Sequence, residues 1–170
     1  FLDEQTNLFY FTTVEQTETP IRKKDLYDSA MPSGNATMCQ NLMELGRYFD
    51  RSDYREQSRI MVASLEKATL RFPSSFARWG RCLLMQTLPG PEIVIVGRDW
   101  MRAGAELRYA YRPGSLLMTH RTGSESFPLF EGRDQNDEST RIYICQQYTC
   151  QRPVGSVPEA EKQLAELALQ

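Results

Sequence analysis

The sequence is short of the residues that several kinds of functional site require. It has one histidine, His120, among 170 residues, which excludes histidine-rich metal sites and catalytic histidine pairs. Positive charge is not in excess, because 20 Lys and Arg face 22 Asp and Glu, and a nucleic-acid binder would show a basic surface. No apolar run approaches the roughly 18–20 residues of a membrane-spanning helix. We therefore expect neither nucleic acid nor a membrane among its partners.

The rest of the composition is that of an ordinary globular protein. Hydrophobic residues make up 41% and charged residues 25%, and a chain of 170 residues can bury a sizeable core. This length predicts one domain or two small ones. The apolar pattern changes at Pro89-Gly90-Pro91. Residues 1–90 are therefore predicted to be a helical segment and residues 91–170 a small α/β unit.

The first part is predicted to combine one strand with three helices. Residues 8–14 are rich in aromatic and β-branched side chains, as strands are. The turn at residues 32–35, Pro-Ser-Gly-Asn, supplies capping residues for the first helix. Short links between amphipathic helices make them antiparallel neighbours. The predicted helices end near Phe49, at Pro73 and before Pro89.

The second part is predicted to contain a small sheet covered by helices. The apolar run from Ile93 to Val96, closed by Gly97, is typical of a strand buried on both faces. The predicted fold class of the whole chain is α+β: antiparallel helices with a short N-terminal β segment, followed by an α/β unit with about three strands. The remaining elements are a helix through Trp100, strands at 115–119 and 142–145, a polar loop at 122–140 and a helix opening at Ser156.

Two residues of this second part stand at positions that functional residues occupy in known sites. Gly97 stands between a strand and a helix, where a dinucleotide fold places its phosphate loop, but that loop needs three glycines and this one has a single glycine. We therefore interpret Gly97 as a plain strand-to-helix turn. No Gly-x-Ser-x-Gly motif accompanies His120, so we interpret it as a loop or surface histidine.

The four cysteines allow more than one interpretation. Cys145 and Cys150 form a Cys-x4-Cys pair after the third predicted strand. The pair is compatible with two reduced thiols in a packed turn, with a disulfide, or with half of a metal site, and the sequence favours the reduced thiols. Cys39 and Cys82 lie on apolar helix faces, so a second pair of ligands is not evident and no metal or cofactor is expected. Nothing else indicates an oxidising compartment, so we expect a cytoplasmic protein.

Acidic and aromatic residues of the first part suggest a carbohydrate site. Asp28, with Asp3 and Glu44, is a candidate for a pair of carboxylates that cleave sugar bonds. The alternative for Asp28 is a cap on the turn before Pro32. Tyr10 belongs to a set of aromatic residues that either stack on sugars or form core.

The order of several motifs resembles the C-terminal part of a known family. It is the thioredoxin-domain-containing family related to spermatogenesis-associated protein 20. The resemblance covers nearly the whole chain. Its motifs here are Phe11-Thr12, the segment Arg22 to Asp28, Pro32-Ser33-Gly34-Asn35, Pro91 with Ile93 to Gly97, Pro128-Leu129 with Gly132, and Tyr143-Ile144-Cys145 with Cys150 and Pro153-Val154.

The resemblance implies a much larger protein around this chain. Members of the family look like a thioredoxin-like domain followed by an (α/α)6 toroid, similar to N-acylglucosamine 2-epimerases and six-hairpin glycosidases. Residues 1–90 would then be the last helices of the toroid and residues 91–170 an appended unit. By this analogy Asp28, Ser33 and Asn35 would lie near the toroid mouth, where related folds bind sugars.

Three functions follow as expectations. The first is a C-terminal fragment without catalysis of its own, whose partner is the rest of its own chain. This expectation agrees with the start at Phe1, which we interpret as a cut inside a longer protein. The second is part of an epimerase- or glycosidase-like enzyme that binds a carbohydrate. The third is a thiol redox protein that uses Cys145 and Cys150. An uncovered apolar helix face would also permit a homo-oligomer.

Overall fold

The chain forms two compact units in a computed structural model that describes residues 1–16, 18, 21–123, 126–133, 139–147 and 149–168. The units are Phe1–Thr87 and Leu88–Gln170. Their described residues hold five α-helices, one two-stranded sheet and one four-stranded sheet, which confirms the predicted α+β class. That the units are separate domains divided at residues 90 and 91 stays a prediction.

Three helices build the first unit. They are α1 (Gly34–Tyr48), α2 (Ser52–Arg71) and α3 (Ala77–Thr87), and each packs against the other two. Trp79 of α3 is fully buried, and its indole nitrogen donates to the carbonyl oxygen of Leu26 at 2.7 Å. The core between the helices consists of Leu8, Ala36, Cys39, Leu42, Met43, Met61, Val62, Leu65, Trp79 and Cys82.

A short hairpin precedes these helices. Strands β1 (Leu2–Asp3) and β2 (Leu8–Phe9) pair in antiparallel fashion. The predicted strand over residues 8–14 is therefore wrong beyond Phe9. Beyond Phe9 the amide of Tyr10 still donates to the carbonyl of Phe1 at 2.8 Å, but the amide of Phe11 donates to the carbonyl of Lys23 at 2.8 Å, so the chain leaves the hairpin there.

The second unit is built on a mixed four-stranded sheet. Its strands are β3 (Glu92–Val96), β4 (Leu116–His120), β5 (Arg141–Gln146) and β6 (Thr149–Cys150), in the order β4-β3-β5-β6. The β3–β4 pair is parallel and the other two pairs are antiparallel. The sequence predicts about three strands and misses β6, because a strand of two residues is too short to show a strand pattern.

Helices cover one face of this sheet. α4 (Trp100–Tyr109) connects β3 to β4, and α5 (Val157–Leu167) follows β6. Isoleucines of β3 and β5 pack against both helices in a cluster of buried residues. A short 3-10 helix, Pro128–Phe130, lies within the predicted loop at 122–140 and places Phe130 against the opposite face. The cluster between the sheet and the two α-helices consists of Ile93, Ile95, Ala103, Leu107, Ile142, Ile144, Ala160 and Leu164.

The predicted loop also contains residues 124–125 and 134–138, which lie outside the described residues. Among the helices that the structure describes, none combines the length and the apolar character needed to cross a bilayer.

Candidate functional site

Asn35 joins the hairpin to the first residues of α1. Its side chain is 3% exposed, and its amide oxygen accepts from the backbone N–H of Phe9 at 2.6 Å. Its amide nitrogen donates to the carbonyl of Phe9 at 2.8 Å and to the carbonyl of Asp25 at 3.0 Å. Three side-chain bonds of one buried amide thus connect Phe9 of β2 and Asp25 to the first turn of α1.

Ser33 is the N-cap of α1. It is fully buried, and its hydroxyl accepts from the N–H of Ala36 at 3.2 Å while donating to the carbonyl of Asp25 at 2.9 Å. The carboxylate of Asp25 in turn accepts from the N–H of Gly34 at 2.9 Å. Together these bonds satisfy backbone groups that a helix start leaves open.

Asp28 binds two segments that are far apart in sequence. One carboxylate oxygen accepts from the N–H of Ser33 and the other from the N–H of Arg78, each at 2.8 Å. Asp28 therefore caps the turn before α1, as the sequence suggested, and also the start of α3. The N–H of Asp28 in turn donates to the carbonyl oxygen of Ser75 at 2.7 Å.

A pocket of about 370 Å³ opens beside Asp28. Arg78 and Arg81 contribute two guanidinium groups to its lining. The Nε atom of Arg78 is buried and has no hydrogen-bond partner among the described residues. The complete lining is Asp28, Ser29, Ala30, Met31, Pro32, Ala77, Arg78 and Arg81.

Tyr10 lies in a cluster of charged side chains. The guanidinium of Arg22 is 3.9 Å from the centre of its ring and the ammonium of Lys24 is 4.7 Å away, both at cation–π distance. Lys24 also pairs with Asp3. The hydrogen bond from Lys24 to Asp3, together with one from Thr6, lowers the pKa of the Asp3 carboxyl to about 2. The ring is therefore engaged by cations of its own chain.

The structure thus brings three of the four predicted carbohydrate-site residues to one place. Asp28, Ser33 and Asn35 all bond to backbone groups at or beside the start of α1. Their part in binding a substrate stays a prediction. Sequence reasoning missed Asp25, whose carbonyl and carboxylate join this set. No local pattern marks it, because its partners lie eight to ten positions further along the chain.

The second candidate site is the cysteine pair of the β5–β6 hairpin. Cys145 and Cys150 are disulfide-bonded, with Cα atoms 3.9 Å apart, so the favoured interpretation as reduced thiols is wrong for this structure. The reason is register: the tight turn at Gln147 places the two cysteines directly opposite each other. Cys145 is 2% exposed, whereas Cys150 is exposed. The Nη2 atom of Arg133 lies 3.1 Å from the Cys145 sulfur and 3.5 Å from the Cys150 sulfur.

The other two cysteines are free thiols inside the first unit. Cys39 and Cys82 are fully buried, which confirms their predicted place on apolar helix faces. A hydrogen bond with Cys82, together with burial, raises the pKa of the Cys39 thiol far above its usual value. The same hydrogen bond lowers the pKa of the Cys82 thiol, and full burial keeps both thiols away from reagents in solution. In the described part of the chain no three His, Cys, Asp or Glu side chains are grouped to hold a metal ion.

Gly97 and His120 have structural explanations. Gly97 has φ +114°, and a Cβ atom there would lie 2.1 Å from the carbonyl oxygen of Ser139, so the close approach of two backbones requires glycine. His120 is not a loop or surface residue as expected: it is the half-buried last residue of β4, and its Nδ1 accepts from the N–H of Gly123 at 3.0 Å.

These observations define a mixed α+β chain with a capped helical unit and a sheet unit that carries a disulfide. The chain is distantly similar to human spermatogenesis-associated protein 20, at 23% identity over 96% of this chain and 22% of that protein. The rat and mouse proteins of that name are 24% and 23% identical over 87% and 86% of the chain. The chain spans about a fifth of the length of these curated relatives. No family model and no solved structure matches it.

Proposed function

We propose that this chain is the C-terminal part of a longer protein similar to spermatogenesis-associated protein 20, and that its helical unit packs against the part that precedes it. It contributes binding surface rather than catalysis. The proposal includes a thioredoxin-like domain and most of a toroid in the part that precedes this chain, and a cytoplasmic location for the whole protein. The relatives support it, because they are about five times as long as the segment that they share with this chain.

An apolar stripe on α1 carries the proposal. Met38, Leu45 and Phe49 are exposed, and their spacing of seven and four residues places them on one side of the helix. The adjacent side of α1 packs into the core through Cys39, Leu42 and Met43, so the stripe borders the core face of the helix. An exposed apolar row on a helix that already has a core face is typical of a surface that another part of the protein covers.

The stripe is tested by measuring association with the rest of the protein. The chain and the part of its gene product that precedes Phe1 are expressed separately and mixed in a calorimeter. Leu45→Glu is expected to weaken association by at least about tenfold, because it places a charge in an apolar contact. Ala63→Glu adds the same charge to an exposed position of α2 and is expected to leave the affinity unchanged.

Two results contradict the packing proposal. One is equal affinity for Leu45→Glu and the unsubstituted chain. The other is a dimer of the 170-residue chain, seen by sedimentation, that Leu45→Glu dissociates, because a second copy would then be what covers the stripe.

A carbohydrate-binding role is the second candidate, and the pocket beside Asp28 favours it. A carboxylate and two guanidinium groups within one pocket suit a ligand that carries both hydroxyl groups and an anionic group, as sugar phosphates do. Because Asp28 already accepts two backbone hydrogen bonds, its role is to hold the pocket wall in place.

Thermal unfolding with glucose 6-phosphate tests this pocket. We expect the ligand to raise the Tm of the chain, and Arg81→Met to abolish the rise, because Arg81 is exposed and its loss does not disturb the core. Arg71→Met removes another exposed arginine of the same unit and is expected to retain the rise. A rise that inorganic phosphate reproduces, a rise retained in Arg81→Met, or no rise at all rejects a sugar phosphate site.

A further inference from the structure

We infer that the Cys145–Cys150 disulfide is a thiol–disulfide exchange site, at which a small monothiol of the glutathione class attacks Cys150 and releases Cys145 as a thiolate beside Arg133. This role is independent of the proposed packing of the first unit, because every residue that carries it belongs to the second unit.

Access to the two sulfur atoms is unequal. Cys150 is exposed at the end of β6, whereas Cys145 is buried in β5 beneath its neighbours. Exchange requires an incoming thiolate to approach a sulfur from the side opposite the bond that breaks, so the exposed cysteine is the one that is open to attack. The geometry therefore selects Cys150 as the sulfur that is attacked and Cys145 as the leaving group.

Arg133 is placed to stabilise that leaving group. Its Nη2 atom is closer to the Cys145 sulfur, at 3.1 Å, than to the Cys150 sulfur, at 3.5 Å. Its other terminal nitrogen donates to the carbonyl of Leu129, and its guanidinium lies 5.3 Å from the centre of the Tyr143 ring. These contacts fix the guanidinium in a half-buried position, where a positive charge attracts a developing thiolate more strongly than it does in water.

The exchange balances without a further reactant. The incoming thiolate forms a new disulfide with the sulfur of Cys150, and the Cys145–Cys150 bond breaks with its electron pair passing to the sulfur of Cys145. A second monothiol then attacks the sulfur that the first one contributed to the mixed disulfide. This attack frees the Cys150 thiolate, and the two monothiols leave as their oxidised dimer. The pair gains two electrons, and the two monothiols supply them.

The site of attack is measured by trapping the intermediate. The oxidised chain is treated with reduced glutathione and quenched at short times with N-ethylmaleimide, and peptides are identified by mass spectrometry. We expect glutathione on Cys150 and maleimide on Cys145 in the same molecules. Cys39 and Cys82 serve as internal controls that remain unlabelled while the first unit is folded, because both are fully buried.

The role of Arg133 is measured by the rate of exchange. Arg133→Met is expected to slow the release of Cys145 by about tenfold, because the leaving thiolate loses its positive neighbour. Arg108→Met removes an exposed arginine of α4 and is expected to retain the rate of the unsubstituted chain. Circular dichroism of both variants reports whether the sheet unit has remained folded.

Three outcomes overturn the inference. They are glutathione on Cys145 instead of Cys150, a disulfide that resists millimolar glutathione while the chain is folded, and equal exchange rates for Arg133→Met and Arg108→Met. The first two are observed on the unsubstituted chain, so the inference is decided even where Arg133→Met fails to fold.

Discussion

Replacing Gly97 by alanine is expected to destabilise the second unit by about 3–5 kcal/mol. Two costs add. Alanine disfavours φ +114°, and its Cβ would lie 2.1 Å from the carbonyl oxygen of Ser139, a contact that only a backbone shift relieves. The shift would displace β3, whose amides and carbonyls pair with both β4 and β5. Urea unfolding followed by Trp100 fluorescence in a Trp79→Phe background measures the effect on this unit.

Gly132 supplies the matched control for the Gly97 experiment. It also has a positive φ, +70°, but no atom lies within 4 Å of the position that a Cβ would occupy. Gly132→Ala therefore carries the conformational cost alone, about 1–2 kcal/mol. Equal losses for the two variants would show that the contact with Ser139 contributes nothing to the requirement for glycine at residue 97.

Asn35→Ala is expected to cost the first unit about 3–5 kcal/mol. The substitution leaves the N–H and the carbonyl of Phe9 without their side-chain partner, whereas the carbonyl of Asp25 keeps its bond from the Ser33 hydroxyl. Each such group carries a desolvation penalty of about 1–3 kcal/mol, which relaxation of the hairpin partly relieves. Unfolding is followed by the fluorescence of buried Trp79 in a Trp100→Phe background.

Asn41→Ala controls for the loss of an asparagine from α1. Asn41 is exposed on the same helix, and alanine is the better helix former, so its free energy of unfolding is expected to stay within about 0.5 kcal/mol of the unsubstituted chain. If Asn35→Ala is as stable as Asn41→Ala, the bonds to the hairpin do not hold the unit together.

The local sequence pattern predicted a structural feature correctly where the residues that cause the feature lie close together in the sequence. The apolar run from Ile93 to Val96 predicted a strand buried on both faces, and β3 is that strand. Ser33 predicted the start of α1, because an N-cap acts on a group three residues away. In both cases the signal depends on the period of the element or on its first turn.

Pattern failed where the cause lies far along the chain. Asp28 caps α3 through Arg78, 50 residues later, and nothing near either residue indicates the other. The strand predicted over residues 8–14 ends at Phe9, and the amide of Phe11 donates to the carbonyl of Lys23, 12 residues away. The disulfide depends on the register of the β5–β6 hairpin, which the sequence did not reveal because β6 is only two residues long. Such contacts are a property of the tertiary structure, not of any window of sequence.

The bonds from the first thirty residues to α3 have a consequence for folding. The carbonyl of Leu26 accepts a hydrogen bond from the indole of Trp79. The N–H of Asp28 donates to the carbonyl of Ser75, and its carboxylate accepts from the N–H of Arg78. On a ribosome the segment that contains Leu26 and Asp28 emerges well before α3 has been synthesised. Closing loops of this length slows folding, because their entropy is lost before the contacts form. We therefore expect the N-terminal segment to gain these contacts only after α3 has been made, although it is the first part of the unit to be synthesised.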